Sequence, residues 1–152
     1  MLLRLSYEDL NRRRLPNPLV TGYGLLSPLA LLASGASATQ WMQHGVVTAV
    51  GFVVLVALFA LRALGGGDVK LGTAVLAWTD VQDLALVLLA VSLAGLMLAL
   101  LGLLIGAPCL KRMFTGGWRR RVRRALLVSR GVPYGVALSV GGLCAMPAYW
   151  VF

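Results

Sequence analysis

Five acidic side chains serve the whole chain: Glu8, Asp9, Asp68, Asp80 and Asp83. Asp68 closes the run Gly65-Gly66-Gly67-Asp68, directly behind an apolar stretch long enough to cross a membrane. A carboxylate at such a boundary costs free energy, which makes it a functional candidate by default. The glycines before it let the backbone turn sharply and let another segment approach closely. Two carboxyl groups held near each other cannot both ionise easily, so one keeps its proton while the other activates water against a carbonyl. That hydrolysis needs no metal, no thiol and no histidine.

Other hydrolytic chemistries fail on inventory. The single histidine, His44, excludes a His-Glu-x-x-His zinc site, and no Gly-x-Ser-Gly or Gly-x-Ser-x-Gly segment supports a serine nucleophile. Cys109 and Cys144 form no Cys-x-x-Cys pair, and the glycine triplet lacks the Lys-Ser/Thr of a phosphate loop. No metal and no cofactor are expected.

The elements that must position the carboxylates are membrane helices. Of 152 residues, 59% are hydrophobic and 12% charged, and mean hydropathy is +0.86; a soluble domain of this size has no use for so much apolar surface. The expectation is one integral membrane domain over residues 1–152, an all-α polytopic helix bundle. The net charge of +9 flanks apolar spans instead of alternating with exposed aromatics. It therefore points to anionic membrane lipids and not to nucleic acid. Apolar segments cover about residues 19–33, 46–64, 71–79, 84–107 and 132–152, with a polar turn at 34–43.

All fourteen Lys and Arg residues fall in three groups: Arg4 to Arg14, Arg62 with Lys70, and Lys111 to Arg130. The turns at 34–43 and 80–83 have none. The positive-inside rule then puts the three basic groups in the cytoplasm. That pattern closes only if the short third segment crosses, giving five crossings. A helix from Gly66 to Thr79 rises only about 20 Å against a hydrocarbon core of about 30 Å. It must thin the bilayer, borrow flanking residues, or start below the surface, with Asp68 slightly inside and Lys70 snorkelling outward. Asp9 and Asp68 share the cytoplasmic side, opposite Asp80 and Asp83, and form a candidate dyad in which Glu8 competes with Asp9. Read alone, Asp68 could equally be a helix N-cap, and Asp9 a surface acid paired with Arg12 or Arg13. Gly102 with Gly106, and Gly131 with Gly135, have the spacing of close helix packing.

The segment Asp9-Leu10-Asn11-Arg12-Arg13-Arg14-Leu15-Pro16-Asn17 resembles the first active-site motif of type IV prepilin peptidases. Gly65-Gly66-Gly67-Asp68-Val69-Lys70-Leu71 resembles their second, the Gly-x-Gly-Asp of intramembrane aspartic peptidases, and Val132-Pro133-Tyr134-Gly135 resembles the start of their last helix. The resemblance implies that Asp9 and Asp68 are catalytic, supported by Gly65, Gly67 and Asn17. It implies cleavage of the basic leader of prepilin-like substrates after a glycine, at the cytoplasmic face of a bacterial inner membrane. The small size is similar to the branch serving Flp-type (Tad) pili, and without the larger relatives' paired Cys-x-x-Cys region methyl transfer is not expected. Self-association is left open. Family members carry a membrane helix before the first aspartate, whereas only eight residues precede Asp9 here: either the chain begins at a late start or that helix has been lost. A second reading is an inactive membrane assembly factor that keeps the fold. A third, a small transporter, predicts acids facing a mid-membrane pore and internal repeats, and neither is found.

Overall fold

The computed structural model describes residues 1–12, 15–106 and 134–145. Among them there is no strand, and six helices follow in order: α1 Leu2–Arg12, α2 Asn17–Ala33, α3 Ala38–Ala60, α4 Gly66–Ala77, α5 Leu84–Gly106 and α6 Tyr134–Ala145. The all-helical bundle expected from composition is what forms. The basic run between Lys111 and Arg130, with Cys109, Trp118 and Trp150, lies outside the described residues.

Three boundaries differ from the sequence expectation, each for a local reason. The polar stretch after α2 is mostly helix, because Ser37 caps α3 through a reciprocal capping box with Gln40. The turn shrinks accordingly, and α3 starts at Ala38. The far end of α3 stops at Ala60, where Arg62 takes φ 59° and Ala63 N–H reaches back to Leu58 O. That is a Schellman closure, with arginine in the left-handed position where α2 uses Gly35 (φ 67°). The glycine triplet therefore does not make the turn; Arg62 does. The third difference is α1, eleven residues of helix where no element was expected.

Two helices, Ala38–Ala60 and Leu84–Ile105, are long and apolar enough to cross a membrane by themselves. Their exposed surfaces are leucine, valine, phenylalanine and methionine, among them Val50, Phe52, Val53, Leu89, Leu93 and Met97, as a lipid-facing surface requires. The short helix α4 lies at the centre instead. It packs on α2, α3 and α6, and Val69, Leu71, Gly72, Ala74, Val75 and Leu76 are all buried. Its twelve residues rise about 18 Å. Enclosure by protein resolves the length problem: a helix surrounded by helices has no bilayer thickness to match.

The end of α4 is also closed by protein. Its last carbonyl, that of Ala77, accepts from the Ser27 hydroxyl and, at 3.1 Å, from His44 Nδ1. Trp78 stacks on Tyr23 with ring centroids 5.6 Å apart and donates from Nε1 to the Tyr23 carbonyl at 3.0 Å. His44 thus ties α3 to α4 through a carbonyl that would otherwise lack a helical partner.

The left-handed Arg62 gives a direct test. A non-glycine residue there costs about 1 kcal/mol, so Arg62→Gly should raise the thermal midpoint of the detergent-solubilised protein by a few degrees, with helix content unchanged. A lowered midpoint would contradict the geometry.

Candidate active site

The two candidate carboxylates sit on different helices that both pack on α6. On α1, Leu2, Leu5 and Asp9 recur at the spacing of one helical face, and all three are buried: 4%, 0% and 7% exposed. Glu8, one position round the helix, is only half-buried. Helical phase thus buries Asp9 and leaves Glu8 partly exposed, a signal present in the sequence as an apolar stripe ending in an acid. The α1 helix runs antiparallel to α6. A Cβ built on Gly142 would lie 3.2 Å from Leu2 Cδ1, and one on Gly135 would lie 2.7 Å from Asp9 Oδ2. Asp9 therefore rests against bare backbone in the first turn of α6.

Asp68 reaches the same level from the other side. A Cβ on Gly72 would lie 3.7 Å from Leu138 Cδ2, and one on Gly142 would lie 3.2 Å from Val75 Cγ2, so α4 and α6 run parallel. Following that register down one turn brings Asp68 level with Tyr134 and Gly135, where Asp9 lies. Tyr134, Leu138 and Asp68 line one cavity of about 160 Å³. Tyr134 and Leu138 occupy one face of α6, while Gly135, Ser139 and Gly142 occupy the next. The start of α6 is thus flanked by Asp68 on one face and Asp9 on the other. Asp80 and Asp83 lie in the turn between α4 and α5, at the opposite end of α4.

Asp68 is not the N-cap. Gly65 holds that position and Asp68 is the third helical residue, the acid of the first turn, where the partial positive charge of the helix start favours a carboxylate. Its Oδ2 folds back to within 3.0 Å of where a Cβ on Gly65 would stand, so a side chain there would crowd the carboxylate. Gly67 behaves differently: a Cβ would meet only Leu15, at 3.4 Å and beyond, which is ordinary contact. Of the two supporting glycines expected, only Gly65 touches Asp68's space.

Asn17, expected as a donor toward the site, begins α2 and accepts from Lys70 Nζ through Oδ1 at 3.2 Å. Lys70 does not snorkel alone; it joins α4 to α2 at the exposed rim. Sequence reasoning missed Tyr134 and the direct role of Gly135 as the surface under Asp9. Both stood in the Pro133-Tyr134-Gly135 run, read as a helix start, with Gly135 read also as a position of close helix packing. Among the described residues no group of three His, Cys, Asp or Glu gathers as a metal ion would require.

Residues 1–100 match the type IV leader peptidase family. No curated protein and no solved structure matches the chain.

Gly135→Ala puts its methyl 2.7 to 3.1 Å from the Asp9 side chain. It should cost about 1–3 kcal/mol, measured by thermal unfolding in detergent. In an Asp9→Ala background the same change should cost under about 0.5 kcal/mol, because the colliding atoms are gone. Gly67→Ala should be near neutral in both. Equal costs of Gly135→Ala in the two backgrounds would contradict the contact.

Proposed function

Because the chain belongs to the type IV leader peptidase family, we propose that it is an aspartic endopeptidase using Asp9 and Asp68. Its substrates are prepilin-like proteins, whose basic leaders it removes after a glycine at the cytoplasmic face of a bacterial inner membrane. The short Flp (Tad) pilus type fits a chain without a paired Cys-x-x-Cys region, and methyl transfer is not part of the reading. Anionic lipids hold the basic flanks.

The observation that supports this most is the convergence of two acids from distant parts of the sequence on one turn of α6. Asp9 lies on Gly135, and Asp68 lines a cavity with Tyr134. Chemistry then follows from a dyad holding one proton. The ionised carboxylate takes a proton from water as the water oxygen adds to the scissile carbonyl carbon, and the protonated carboxyl gives its proton to the carbonyl oxygen. The gem-diol then breaks its C–N bond. The leaving nitrogen takes a proton from the first carboxyl, and one hydroxyl proton returns to the second, restoring the starting dyad. The rim supports access by both reactants, since Gly65, Gly66, Gly67 and Lys70 are exposed at this end of α4.

The assay is leader removal from a co-expressed prepilin. Asp9→Asn and Asp68→Asn should each abolish it, by at least about 10³-fold, while both variants stay in the membrane at wild-type levels. Processing that survives either change refutes the dyad. If the wild-type chain also leaves the leader intact, the reading as an inactive assembly factor takes its place.

A further inference from the structure

The outer face of α1 carries charge at a depth where its neighbours carry none. The antiparallel register of α1 and α6, with Leu2 on Gly142 and Asp9 on Gly135, puts Arg4 level with Val140. Arg4 therefore lies five residues of helix, about 7.5 Å, further into the bundle than Asp9. Val75 also meets Gly142, so the same level falls at Thr73, near the middle of the enclosed α4. The exposed residues that share this level are apolar: Leu3 beside Arg4, Val140 on α6, and Leu89 on α5, between the Val87 and Val91 that meet Gly141. Arg4 is itself exposed, and among the described residues it has no ion-pair partner. Helical side chains lean toward the start of their helix. The start of α1 is its deep end, so that lean carries Arg4 away from the rim. A guanidinium left facing lipid there is costly, and an opposite charge must answer it.

The sequence of α1 supplies that charge on the same face. Glu8 follows Arg4 by one turn and Asn11 by two, and the exposed Leu3 and Tyr7 border the stripe. Opposite charges one turn apart make the stripe self-complementary. All copies of a chain insert in one orientation, set by their basic loops. Two copies therefore meet about a two-fold axis along the membrane normal, with their α1 helices side by side and parallel. Under that symmetry Arg4 of each copy faces Glu8 of the other. We propose that this stripe is the contact between two copies of the chain, joined by two Arg4–Glu8 pairs and packed through Leu3 and Tyr7. The second copy covers the side of α1 that α6 leaves open, and so braces the helix that carries Asp9.

The test measures self-association of the full chain in lipid vesicles, by energy transfer between labelled copies, and its readout does not depend on catalysis. Transfer in the wild type should rise with the protein-to-lipid ratio and fall when unlabelled chain is added. Arg4→Glu sets acid against acid across the axis, and Glu8→Arg sets cation against cation, so each should weaken association by at least about tenfold. Mixed together, the two single variants should associate within about threefold of the wild type, because the mixed pair has both opposite-charge contacts again. Mixing does nothing for charges within one helix, so only a contact between copies gives that recovery. Arg4→Gln should also weaken association while Arg4→Lys keeps it, and these two variants carry the test if the charge-reversed ones fail to accumulate. A wild type that shows no transfer at any protein-to-lipid ratio overturns the proposal; a lipid phosphate, or an acid on a foreign helix, answering Arg4 would give that result. A mixture no better associated than either single variant alone overturns it as well.

Discussion

The bundle depends on enclosing a helix too short for the membrane. A helix of twelve residues, left among lipids, would leave its terminal carbonyls in hydrocarbon, where each unsatisfied group costs several kcal/mol. Here α2, α3 and α6 pack around α4, and the Ser27 hydroxyl and His44 ring meet its last carbonyl. The helix can then be placed by its contacts instead of by bilayer thickness. Its start, with Asp68, is free to stand at whatever depth those contacts dictate.

Enclosure requires close approach, and α6 supplies the small surface that allows it. Gly135, Ala137, Ser139, Gly141 and Gly142 are all buried, and they face different partners. Gly141 packs on Val87 and Val91, Gly142 on Leu2, Tyr23 and Val75, and Gly135 on Asp9. The small residues of this helix let four neighbouring helices, α1, α2, α4 and α5, approach its backbone. The Tyr23 hydroxyl, donating to the Gly142 carbonyl at 3.3 Å, and Ser139, donating to the Gly135 carbonyl at 2.7 Å, keep polar atoms in this seam satisfied. The surface that accepts helices also accepts the Asp9 side chain, so packing and site share one element.

Much of this was legible in the sequence, and the misses have common causes. Hydropathy located the bodies of α2, α3, α4 and α5, because lipid-facing and core-facing residues are both apolar. It could not locate helix ends, which follow capping chemistry: Ser37 with Gln40 starts α3, and the left-handed Arg62 ends the turn that glycine was expected to make. Hydropathy also passed over α1, whose apolar residues are a stripe and not a run; Leu2, Leu5 and Asp9 share a face while Leu3, Arg4 and Tyr7 are exposed. At the glycine-aspartate motif the tight space lies between Gly65 and the Asp68 carboxylate itself, while the residues that approach from other segments, Phe59 at Gly66 and Leu15 at Gly67, stand at ordinary contact distance. The partner surface at Gly135 was beyond a single sequence, because it depends on the register of two helices far apart in the chain.

The division of labour among the helices follows from dielectric cost. The helices α3 and α5, which meet lipid, carry no Asp, Glu, Lys or Arg between Ala38 and Ala60 or between Leu84 and Gly106. Both carboxylates of the candidate site stand on short helices, α1 and the enclosed α4, within a turn of exposed polar rim residues such as Asn11 and Lys70. A carboxylate on α3 or α5 at mid-depth would have faced hydrocarbon without water; one on α1 or α4 meets packed protein on one side and an exposed rim on the other. Water activation needs both conditions, an apolar wall to keep one proton on the pair and a path for the reacting water. A helix shorter than the membrane, held inside a protein wall, satisfies them at once.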